Sequence, residues 1–463
     1  MMEKSHDLVV LGGGPGGYVA AIRAAQLGMD VACIDENPRF GGTCLRVGCI
    51  PSKALLESSH RYADTLHSLA DHGISVSEAK LDLAKMLARK DDVVEKLTGG
   101  IKMLLDRNKV TTYVGRGRFE TPNRLMIATR EAPVFINAKH VIIAVGSRPA
   151  MMNGVAYDGD RIGDSTTALS YAEVPKRLVV IGGGYIGLEL GSVWSRLGSE
   201  VTVLEAMDRV LPGVDEEIGK VARRLFEKQG LKFVTGAWVE SAVVEGDECV
   251  VKCRDRDPIT ADRVLLCTGR VPNTGEIGAD AIGIQLDRRG AIQVDGRFQT
   301  GVPGVYAIGD CIGGAMLAHK ASEEGIACVE MLATGHGSVH YDAIPAIVYT
   351  DPEIAMIGKT EQQLKEEGIE YRKGVCPYGA NGRARSLGDV DGRVKILADA
   401  KTDRILGVHA IGMHAGDLIA ECAVAMTFGA SSEDLARCCH AHPTLSEIVM
   451  EAALAVNGRA IHT

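Results

Sequence analysis

Residues 41–53 read GGTCLRVGCIPSK, and the two cysteines in this stretch are the strongest chemical signal in the chain. Cys44 and Cys49 lie five residues apart at the predicted start of a helix. Residues with that spacing in an ideal helix differ by about 140° around the axis and about 7.5 Å along it, whereas a disulfide needs Cα atoms about 5.5–6 Å apart. A bridge therefore requires a distorted helical entrance, which Gly48 permits, and distortion makes the bond easier to reduce.

Lys53 follows Cys49 by four residues and so lies on the same helix face, where its charge can support a thiolate. The other reading of the cysteine pair, as half of a metal site, lacks a second pair of ligands at useful spacing. We therefore interpret Cys44 and Cys49 as a redox-active disulfide and expect no metal.

The twelve cysteines of this 463-residue chain show no regular spacing, unlike the disulfide frameworks of small secreted proteins. We expect most of them to be reduced and buried as small hydrophobic residues, and we place the vicinal Cys438 and Cys439 in the core as well. The other cysteines expected to be buried are Cys33, Cys249, Cys253, Cys267, Cys311, Cys328, Cys376 and Cys422.

Length and charge exclude several classes of protein. At about 150 residues per domain, 463 residues predict roughly three domains. The net charge of −9 and the absence of a basic run of five residues argue against nucleic-acid binding. The chain contains no run of 18 apolar residues, so the sequence predicts no membrane span. Its N-terminus enters a predicted strand too early to leave room for a signal or transit peptide. The expected location is cytoplasmic, although an organellar protein without its presequence would look the same.

A dinucleotide-binding fingerprint precedes the cysteine stretch. The strand 7–11 is followed by the glycine turn 12–17 (GGGPGG), a helix that ends at Gly28, and a second strand that ends at Asp35. In this pattern Gly12 permits the tight turn, Gly14 lets the backbone approach a pyrophosphate, and Gly17 lets the helix pack closely on the strand. The helix N-terminus supplies free N–H groups, and the acid accepts a hydrogen bond from a ribose hydroxyl.

The same pattern recurs at residues 178–205, where Gly182, Gly184 and Gly187 form the turn and Glu205 is the acid. The interval from first glycine to acid is 23 residues in both copies (12 to 35 and 182 to 205). Two matches with one internal spacing predict two dinucleotide-binding domains. Because Glu205 is followed by alanine and methionine rather than by a cation, the second site favours NAD over NADP.

Further glycine residues in the middle of the chain lie at predicted turns and strand ends. Gly117 is expected in a tight turn, and the strand-like runs 141–144 and 265–270 lead to exits at Gly146-Ser147 and Gly269. In the run VYAIGD at 305–310, Asp310 at a strand end can bind the sugar-alcohol chain of a ligand, or it can simply cap the next helix.

The C-terminal part, from about residue 341, changes character. Alternating runs at 344–349, 394–397 and 406–411 predict strands, an amphipathic helix follows from 416 to 428, and a last helix ends near Val456. This pattern predicts an α+β domain without a cofactor fingerprint. Its tail contains HAHPTLSE at 440–447, where Pro443 breaks the local structure and Glu447 can return to hold the imidazole of His442.

The chain closely resembles the FAD-dependent pyridine nucleotide–disulfide oxidoreductases over essentially its whole length. The resemblance rests on GGGPGG at 12–17, GGTCLRVGCIPSK at 41–53, GGGYIGLE at 182–189, YAIGD at 306–310, MLAHKASEEG at 316–325 and HAHPTLSE at 440–447. Within the family it is similar to the members that oxidise dihydrolipoamide with NAD+.

The resemblance implies an α/β fold with two Rossmann-like domains and a C-terminal α+β dimerisation domain. The implied divisions are an FAD-binding domain (1–150), an NAD-binding domain (151–275), a central domain completing the FAD site (276–343) and the interface domain (344–463). The implied FAD contacts are Asp35, Lys53, Gly117, Ser147, Asp310, Met316, Leu317, Ala318 and His319. The implied NAD contacts are Gly182 to Glu189, Glu205, Val239 and Gly269.

The resemblance also implies a cycle in a homodimer whose subunits share each active site. His442, held by Glu447 of the same chain, removes a proton from a dihydrolipoyl thiol, and the thiolate attacks Cys44 of the disulfide. Cys49 is released as a thiolate, and its electrons pass through FAD to NAD+. Lys53 pairs with Glu189, and His440 is a structural neighbour. The dihydrolipoyl group arrives on another protein, a component of a 2-oxoacid dehydrogenase complex or of the glycine cleavage system.

Other functions remain open at this point. A glutathione-type reductase would need arginines near position 205, and a mercuric reductase would carry its cysteine pair at the extreme C-terminus. Tyr185, inside the second glycine turn, is a departure toward the glutathione-type pattern and can act as a lid on the nicotinamide pocket. A non-catalytic flavoprotein subunit would keep both fingerprints but would not need Cys44, Cys49 and His442 together.

Overall fold

The computed structural model describes residues 4–463, which divide into two compact units. Unit 1 contains the described residues up to Leu55 together with Ala84–Ala150 and Gly269–Val339. Unit 2 contains Leu56–Leu83, Met151–Thr268 and His340–Thr463. The four domain boundaries expected from the sequence stay a prediction. No helix within residues 4–463 is long and apolar enough to cross a membrane.

Strands and helices alternate at the start of the chain, six consecutive strands follow at residues 111–163, and the last three elements are helices. The helices are α1 (Pro15–Gln26), α2 (Gly42–Val47), α3 (Cys49–His67), α4 (Leu83–Arg107), α5 (Ser165–Ala168), α6 (Tyr185–Arg196), α7 (Glu216–Lys228), α8 (Ala318–Thr334), α9 (Glu361–Glu366), α10 (Gly382–Leu387), α11 (Ala415–Thr427), α12 (Ser432–Arg437) and α13 (Glu447–Val456). The strands are β1 (Lys4–Leu11), β2 (Val31–Asp35), β3 (Thr111–Val114), β4 (Arg116–Thr121), β5 (Arg124–Ala128), β6 (Val134–Ile143), β7 (Ser147–Pro149), β8 (Ile162–Gly163), β9 (Arg177–Ile181), β10 (Glu200–Glu205), β11 (Lys232–Thr235), β12 (Val239–Glu245), β13 (Glu248–Cys253), β14 (Ile259–Ala261), β15 (Arg263–Leu266), β16 (Arg270–Pro272), β17 (Val305–Ala307), β18 (Ala346–Val348), β19 (Glu353–Gly358), β20 (Tyr371–Pro377), β21 (Arg393–Asp399) and β22 (Ile405–Gly412).

Unit 1 is built on a seven-stranded sheet with the order β3-β2-β1-β6-β5-β4, to which β17 adds beside β6. Strands β1, β2, β3, β6 and β17 run parallel. Strand β5 pairs antiparallel with β6, and β4 pairs antiparallel with β5. The central strand β1 reads DLVVL at 7–11, and its last four residues are almost fully buried because helices and loops cover both faces. The carboxyl ends of β1 and β2 therefore meet at one edge, where a ligand binds in sheets of this type.

Helix α1 packs against α8 at very short range in unit 1. A Cβ built on Gly16 would lie 2.9 Å from the Ala321 carbonyl oxygen, and one built on Gly325 would lie 2.7 Å from the Gly16 oxygen. Only glycine allows this approach, which brings the N-terminal ends of both helices to the carboxyl edge of the sheet. The predicted turn at Gly117 is wrong: Gly117 lies within strand β4, where a Cβ would come 2.5 Å from the Leu11 side chain.

Unit 2 contains a second parallel sheet with the order β11-β10-β9-β15-β8 and a small antiparallel meander, β12-β13-β14. Its C-terminal part is an antiparallel sheet of order β18-β19-β22-β21-β20, covered by α11 and α13 over an apolar core. The α/β fold class with two Rossmann-like sheets and a C-terminal α+β part is confirmed.

A buried charge cluster lies between α7 and the C-terminal sheet within unit 2. The Lys395 side chain is 1% exposed, and its Nζ lies 2.9 and 3.1 Å from the carboxylate oxygens of Asp215, which is fully buried. Glu361 also accepts a hydrogen bond from this ammonium group. Burial works to raise the pKa of Glu361, but hydrogen bonds from Lys395, Tyr371 and Lys365 outweigh it and hold the pKa well below its usual range. The cluster is therefore ionised and compensated.

We expect Lys395→Met to destabilise the fold strongly, because it leaves the buried carboxylates without their cation. The expected loss is about 3–5 kcal/mol of unfolding free energy, measured by urea titration followed by circular dichroism. Lys373→Met is the matched control. Lys373 is 47% exposed, and its ammonium group lies 3.4 Å from the Glu361 carboxylate and 3.7 Å from that of Glu217. Its loss should stay below about 1 kcal/mol. Equal losses in the two variants would contradict this account.

Candidate active site

The first glycine turn, in unit 1, is closed by contacts that allow no side chain at two positions. Gly12 has φ +112°, and a Cβ there would lie 2.2 Å from the Ala144 oxygen. A Cβ on Gly17 would lie 1.8 Å from the Gly12 oxygen. At Gly14 the nearest atom, the Gly42 Cα, is 3.8 Å from a built Cβ, so the backbone there is accessible.

The second glycine turn, in unit 2, has the same geometry. Gly182 has φ +109°, with a built Cβ 2.3 Å from the Cys267 oxygen, and the Cβ of Gly187 would lie 2.3 Å from the Gly182 oxygen. Nothing lies within 4 Å of a Cβ built on Gly184. In both turns the middle glycine faces open space at a helix N-terminus, which fits the approach of a pyrophosphate.

The two acids at the strand ends brace these turns from inside the protein. Asp35 accepts hydrogen bonds from the backbone N–H groups of Gly13 and Asn37, both at 2.8 Å. Glu205 accepts them from Gly183 at 2.7 Å and from Met207 at 2.8 Å. Sequence reasoning assigned these carboxylates only to a ribose, and it missed that each also orders its own turn.

The cysteine pair lies where two helices meet. Helix α2 ends at Val47, α3 begins at Cys49, and between them Gly48 has φ −141° and ψ −113°. A Cβ on Gly48 would approach the Thr43 oxygen to 2.9 Å, so a larger residue would push against the turn that carries Cys44. The predicted distortion at Gly48 is therefore present.

The cysteine segment is attached directly to the first glycine turn. The Gly41 N–H donates to the Gly13 oxygen at 2.8 Å. Gly41 and Gly42 have φ of +121° and +62°, and a Cβ on Gly42 would lie 2.6 Å from the Gly14 Cα. These contacts hold Cys44 beside the accessible backbone of the turn.

Cys44 is half-buried and Cys49 is exposed. The pKa of the Cys44 thiol is raised, first by a hydrogen bond with the Cys49 side chain and then by burial. The positive charge of Lys53 acts in the opposite direction on the same pKa. The structure thus brings Cys44, Cys49 and Lys53 together.

Asp310 lies in the helical turn Gly309–Ile312 of unit 1 and accepts a hydrogen bond from the Ser147 hydroxyl at 2.5 Å. Arg270, which sequence reasoning missed, donates to the Ser147 hydroxyl at 2.8 Å and to its carbonyl at 2.6 Å. Asp310 does not cap the following helix, because the residue before α8 is Leu317. The chain Arg270–Ser147–Asp310 thus fixes the predicted acid at the carboxyl edge of the sheet.

A buried ion pair that sequence reasoning also missed supports this loop. Lys320 and Glu324 in α8 are 2.9 Å apart and almost fully buried. Lys320 donates to the Gly313 oxygen at 3.0 Å, and Glu324 accepts from the Gly309 N–H at 2.7 Å. The available signal was the spacing of four residues between Lys320 and Glu324, which places opposite charges on one helix face. The predicted contact residues Met316, Leu317, Ala318 and His319 form the N-terminal entry to the same helix.

The predicted contacts of the second site belong to different elements. Val239 begins strand β12 in unit 2, and Gly269 has φ +124° in unit 1. Glu189 is 3% exposed in α6 and accepts a hydrogen bond from the Tyr349 N–H at 2.9 Å. Tyr185, the first residue of α6, is 42% exposed. The pairing of Lys53 with Glu189 stays a prediction.

His442 and Glu447 meet as the tail motif suggested. His442 Nδ1 lies 2.9 Å from Glu447 Oε1, and the other carboxylate oxygen accepts from the Thr444 N–H at 2.9 Å. The His442 side chain is 78% exposed, whereas Glu447 is 20% exposed. Burial raises the pKa of Glu447, but the Thr444 and His442 hydrogen bonds outweigh it and hold this pKa below its usual value. Nδ1 is thereby engaged, and Nε2 is available to accept a proton.

The neighbours of this pair include one correction. Cys438 and Cys439 are exposed, so their placement in the core is wrong: α12 ends at Arg437 and the chain leaves it in an extended conformation at Cys438. Of the other cysteines that were expected to be buried, Cys267 is half-buried and the remaining ones are buried. His440 pairs with Glu421 at 3.2 Å. Within residues 4–463 no group of three or more candidate ligands could hold a metal ion.

We expect Gly184→Ala to fold normally and to retain any ligand of the first turn, because a methyl group at this position meets no protein atom. It should raise the KM for NAD+ at least about tenfold, since the methyl group fills the approach of the pyrophosphate. Initial rates and the flavin absorbance measure the two effects. The matched control, Gly187→Ala, should instead lose folded protein, because its Cβ would lie 2.3 Å from the Gly182 oxygen. An unchanged KM in folded Gly184→Ala would contradict the assignment.

Comparison with known proteins agrees with this geometry. Residues 6–325 match the profile described as pyridine nucleotide-disulphide oxidoreductase, and residues 344–453 match the dimerisation domain of the same family. The chain is 51% identical to a mitochondrial dihydrolipoyl dehydrogenase of Pisum sativum over 99% of its length and 93% of that protein. It is 50% identical to a dihydrolipoyl dehydrogenase of Cupriavidus necator over the full length of both.

Solved structures give the same result. LpdA from Mycobacterium tuberculosis superposes with a TM-score of 0.90 at 28% identity, covering 97% of this chain and 99% of that one. A Cu(II) complex of an HOCl-induced flavoprotein disulfide reductase from Escherichia coli superposes with a TM-score of 0.88 at 27% identity, covering 98% and 99%. The chain belongs to the pyridine nucleotide-disulphide oxidoreductase family.

Proposed function

We propose that the protein is an NAD-dependent dihydrolipoyl dehydrogenase, which oxidises protein-bound dihydrolipoamide to lipoamide. The observation that carries the proposal is the position of Cys44 and Cys49, whose segment is attached to the first glycine turn by the Gly41–Gly13 hydrogen bond. The dihydrolipoyl dehydrogenases that match at about half identity over the whole chain support the substrate.

The two cysteines have different roles in this proposal. In the oxidised enzyme, a substrate thiolate attacks Cys44 of the disulfide and forms a mixed disulfide, and Cys49 leaves as a thiolate. The second substrate thiol then displaces Cys44, which takes up a proton, and lipoamide departs with its own disulfide closed. Lys53 is the cation near the pair.

His442 is the proposed proton acceptor for the substrate thiol, and Glu447 is its positioning residue. With Nδ1 held by the carboxylate at 2.9 Å, the exposed Nε2 is the atom that takes the proton. A thiol must lose its proton before it attacks a disulfide, so a base that is reachable from solvent suits a substrate carried on another protein. In the proposed homodimer, this pair serves the cysteines of the other subunit.

The residues present fit the two cofactors of the family, FAD at the first site and NAD at the second. The FAD site is formed by Gly12, Gly14, Gly17, Asp35, Lys53, Gly117, Ser147, Asp310, Met316, Leu317, Ala318 and His319. The NAD site is formed by Gly182, Gly184, Gly187, Glu189, Glu205, Val239 and Gly269. The flavin supplies the transfer of two electrons from the dithiol to NAD+. Glu205, with no cation next to it in sequence, disfavours a 2′-phosphate.

The proposed partners are a second copy of this chain, through the dimerisation domain, and a lipoyl-bearing protein. That protein belongs to a 2-oxoacid dehydrogenase complex or to the glycine cleavage system. The cytoplasmic location stays a prediction.

We expect the purified protein to reduce NAD+ with dihydrolipoamide and to show little activity with glutathione as the thiol. NADP+ should be a much poorer acceptor, because the buried carboxylate of Glu205 repels the extra phosphate. The measurement is NADH absorbance under matched concentrations of each thiol and each acceptor. A glutathione-type reductase would reverse both preferences, and a non-catalytic subunit would show no turnover with any pair.

Two substitutions separate the electron path from the proton path. Cys49→Ser should lose the long-wavelength absorption of a thiolate against a flavin together with turnover, whereas His442→Gln should keep its flavin and lose about 10²–10⁴-fold in activity. His440→Gln is the matched control, because His440 is a histidine two residues away that pairs with Glu421. It should retain most activity. Equal losses at positions 440 and 442 would refute the role of His442.

A further inference from the structure

Asn381 connects the short helix α10 with the loop that carries His442. Its side-chain Nδ2 donates to the Thr444 oxygen at 3.0 Å, although the two residues are 63 positions apart in the chain. We call this hydrogen bond the Thr444 clamp. The Thr444 N–H donates to Glu447 Oε2 at 2.9 Å, and Glu447 Oε1 lies 2.9 Å from His442 Nδ1. A continuous series of hydrogen bonds thus leads from Asn381 to the proposed base.

Asn381 is itself held in place by hydrogen bonds of its backbone and its side chain. Its backbone N–H donates to the Tyr378 oxygen at 2.9 Å, and its carbonyl oxygen accepts from the Arg385 N–H at 3.1 Å. Its Oδ1 accepts from the Ala384 N–H at 2.9 Å and so caps the N-terminus of α10. Asn381 is buried and Tyr378 is fully buried. The donor Nδ2 therefore belongs to an anchored residue.

The cap of α10 does not by itself require an amide. Serine, threonine and aspartate supply the acceptor that an N-cap needs, whereas asparagine supplies an acceptor together with two N–H donors. The Ala384 N–H can only donate and the Thr444 oxygen can only accept, so these two partners fix the orientation of the Asn381 amide. The side chains that cap other helices in the described part of the chain are carboxylates or hydroxyls: Asp164, Asp215, Thr360 and Ser431. The amide at position 381 thus serves both the cap and the Thr444 clamp.

We propose that Asn381 is a positioning residue for His442 and that it acts through the backbone of Thr444. This inference rests on the proposed function, because it concerns how the proton acceptor is held. Thr444 is bound on both sides, since its oxygen accepts from Asn381 and its N–H donates to Glu447. Without the Thr444 clamp, the Thr444 N–H moves relative to Glu447 Oε2. The carboxylate that orients the imidazole then loses a partner.

An exposed base depends on hydrogen bonds for its position, because packing contributes little to it. The His442 side chain is 78% exposed, and residues 441–443 are all exposed. Proton transfer requires donor and acceptor atoms to approach to about 2.6–3.2 Å, and a displacement of about 1 Å can cost about a hundredfold in rate. Asn381 connects this exposed loop to Tyr378, which belongs to the apolar core of the C-terminal sheet.

The test compares Asn381→Ser with Thr360→Ala. Serine retains the acceptor that caps α10 but has no amide to bind Thr444, so the first variant removes the Thr444 clamp without adding a charge. The kcat for NAD+ reduction by dihydrolipoamide should fall about ten- to a hundredfold, because the base is misplaced. Oxidation of NADH by ferricyanide, which takes electrons from the flavin and needs no base, should be unchanged. Thr360→Ala removes a cap from α9 and should leave both rates unchanged.

Hydrogen–deuterium exchange reports on the Thr444 clamp without any activity. The segment 440–447 should exchange faster in Asn381→Ser than in the unmodified protein, because loss of the hydrogen bond lets the loop open more often. The same segment should exchange at an unchanged rate in Thr360→Ala. The exchange and the two reactions together separate a loosened loop from general damage to the fold.

The outcomes separate the inference from the proposed function. If the unmodified protein does not oxidise dihydrolipoamide, the proposed function fails, and the role of Asn381 fails with it. If it does, but Asn381→Ser keeps its kcat, or loses the ferricyanide reaction in parallel, the positioning role is refuted. A fall in kcat without faster exchange of 440–447 would also refute it. Asn381→Asp keeps the shape and the cap but lacks the N–H donor, so it decides the same question if Asn381→Ser does not fold.

Discussion

The hydrogen bond from the Gly41 N–H to the Gly13 oxygen is the contact on which the chemistry of this chain depends. At 2.8 Å it joins the segment that carries the cysteines to the turn that carries the open backbone of Gly14. The positive φ of Gly41 and Gly42 is required for that approach, because a Cβ on Gly42 would collide with the Gly14 Cα. A redox-active cysteine pair must lie near its electron acceptor. Here backbone contacts attach the cysteine segment to the first glycine turn, which is the proposed flavin-binding turn.

The same logic of close backbone contact explains why much of this structure was predictable from sequence. A glycine that excludes any Cβ leaves a strong signal, so both turns, the two acids and the break at Gly48 could be located from spacing alone. The helix and strand bounds around the turns differ from the expectation by a few residues, as at α1, which ends at Gln26 rather than at Gly28. Constraints of this kind act between residues that are close in sequence, so the local sequence pattern predicts them.

The failures have a different physical origin. Gly117 is a glycine because the Leu11 side chain lies against it across the sheet, and a turn was the wrong explanation for it. Arg270 supports Ser147 from 123 residues away, and Lys320 reads in sequence as an ordinary surface cation although it is buried against Glu324. Cys438 and Cys439 were expected in the core because cysteine is usually buried, but they follow the end of a helix and are exposed. Contacts between distant segments decide the cases of Gly117 and Arg270, and the burial of Lys320 depends on how its helix packs; a single sequence records neither.

Exposure separates the charged pairs that hold the fold from the pair that can transfer a proton. Lys395 with Asp215 and Lys320 with Glu324 are sheltered on both sides, with every side chain at 4% exposure or less, so their protons are not exchanged with a substrate. His442 is 78% exposed while Glu447 is 20% exposed. A base must be reachable, whereas the group that orients it gains strength from shelter because the local dielectric is lower. An exposed imidazole held by a sheltered carboxylate can exchange a proton with a substrate, whereas the two sheltered ion pairs can only support the fold.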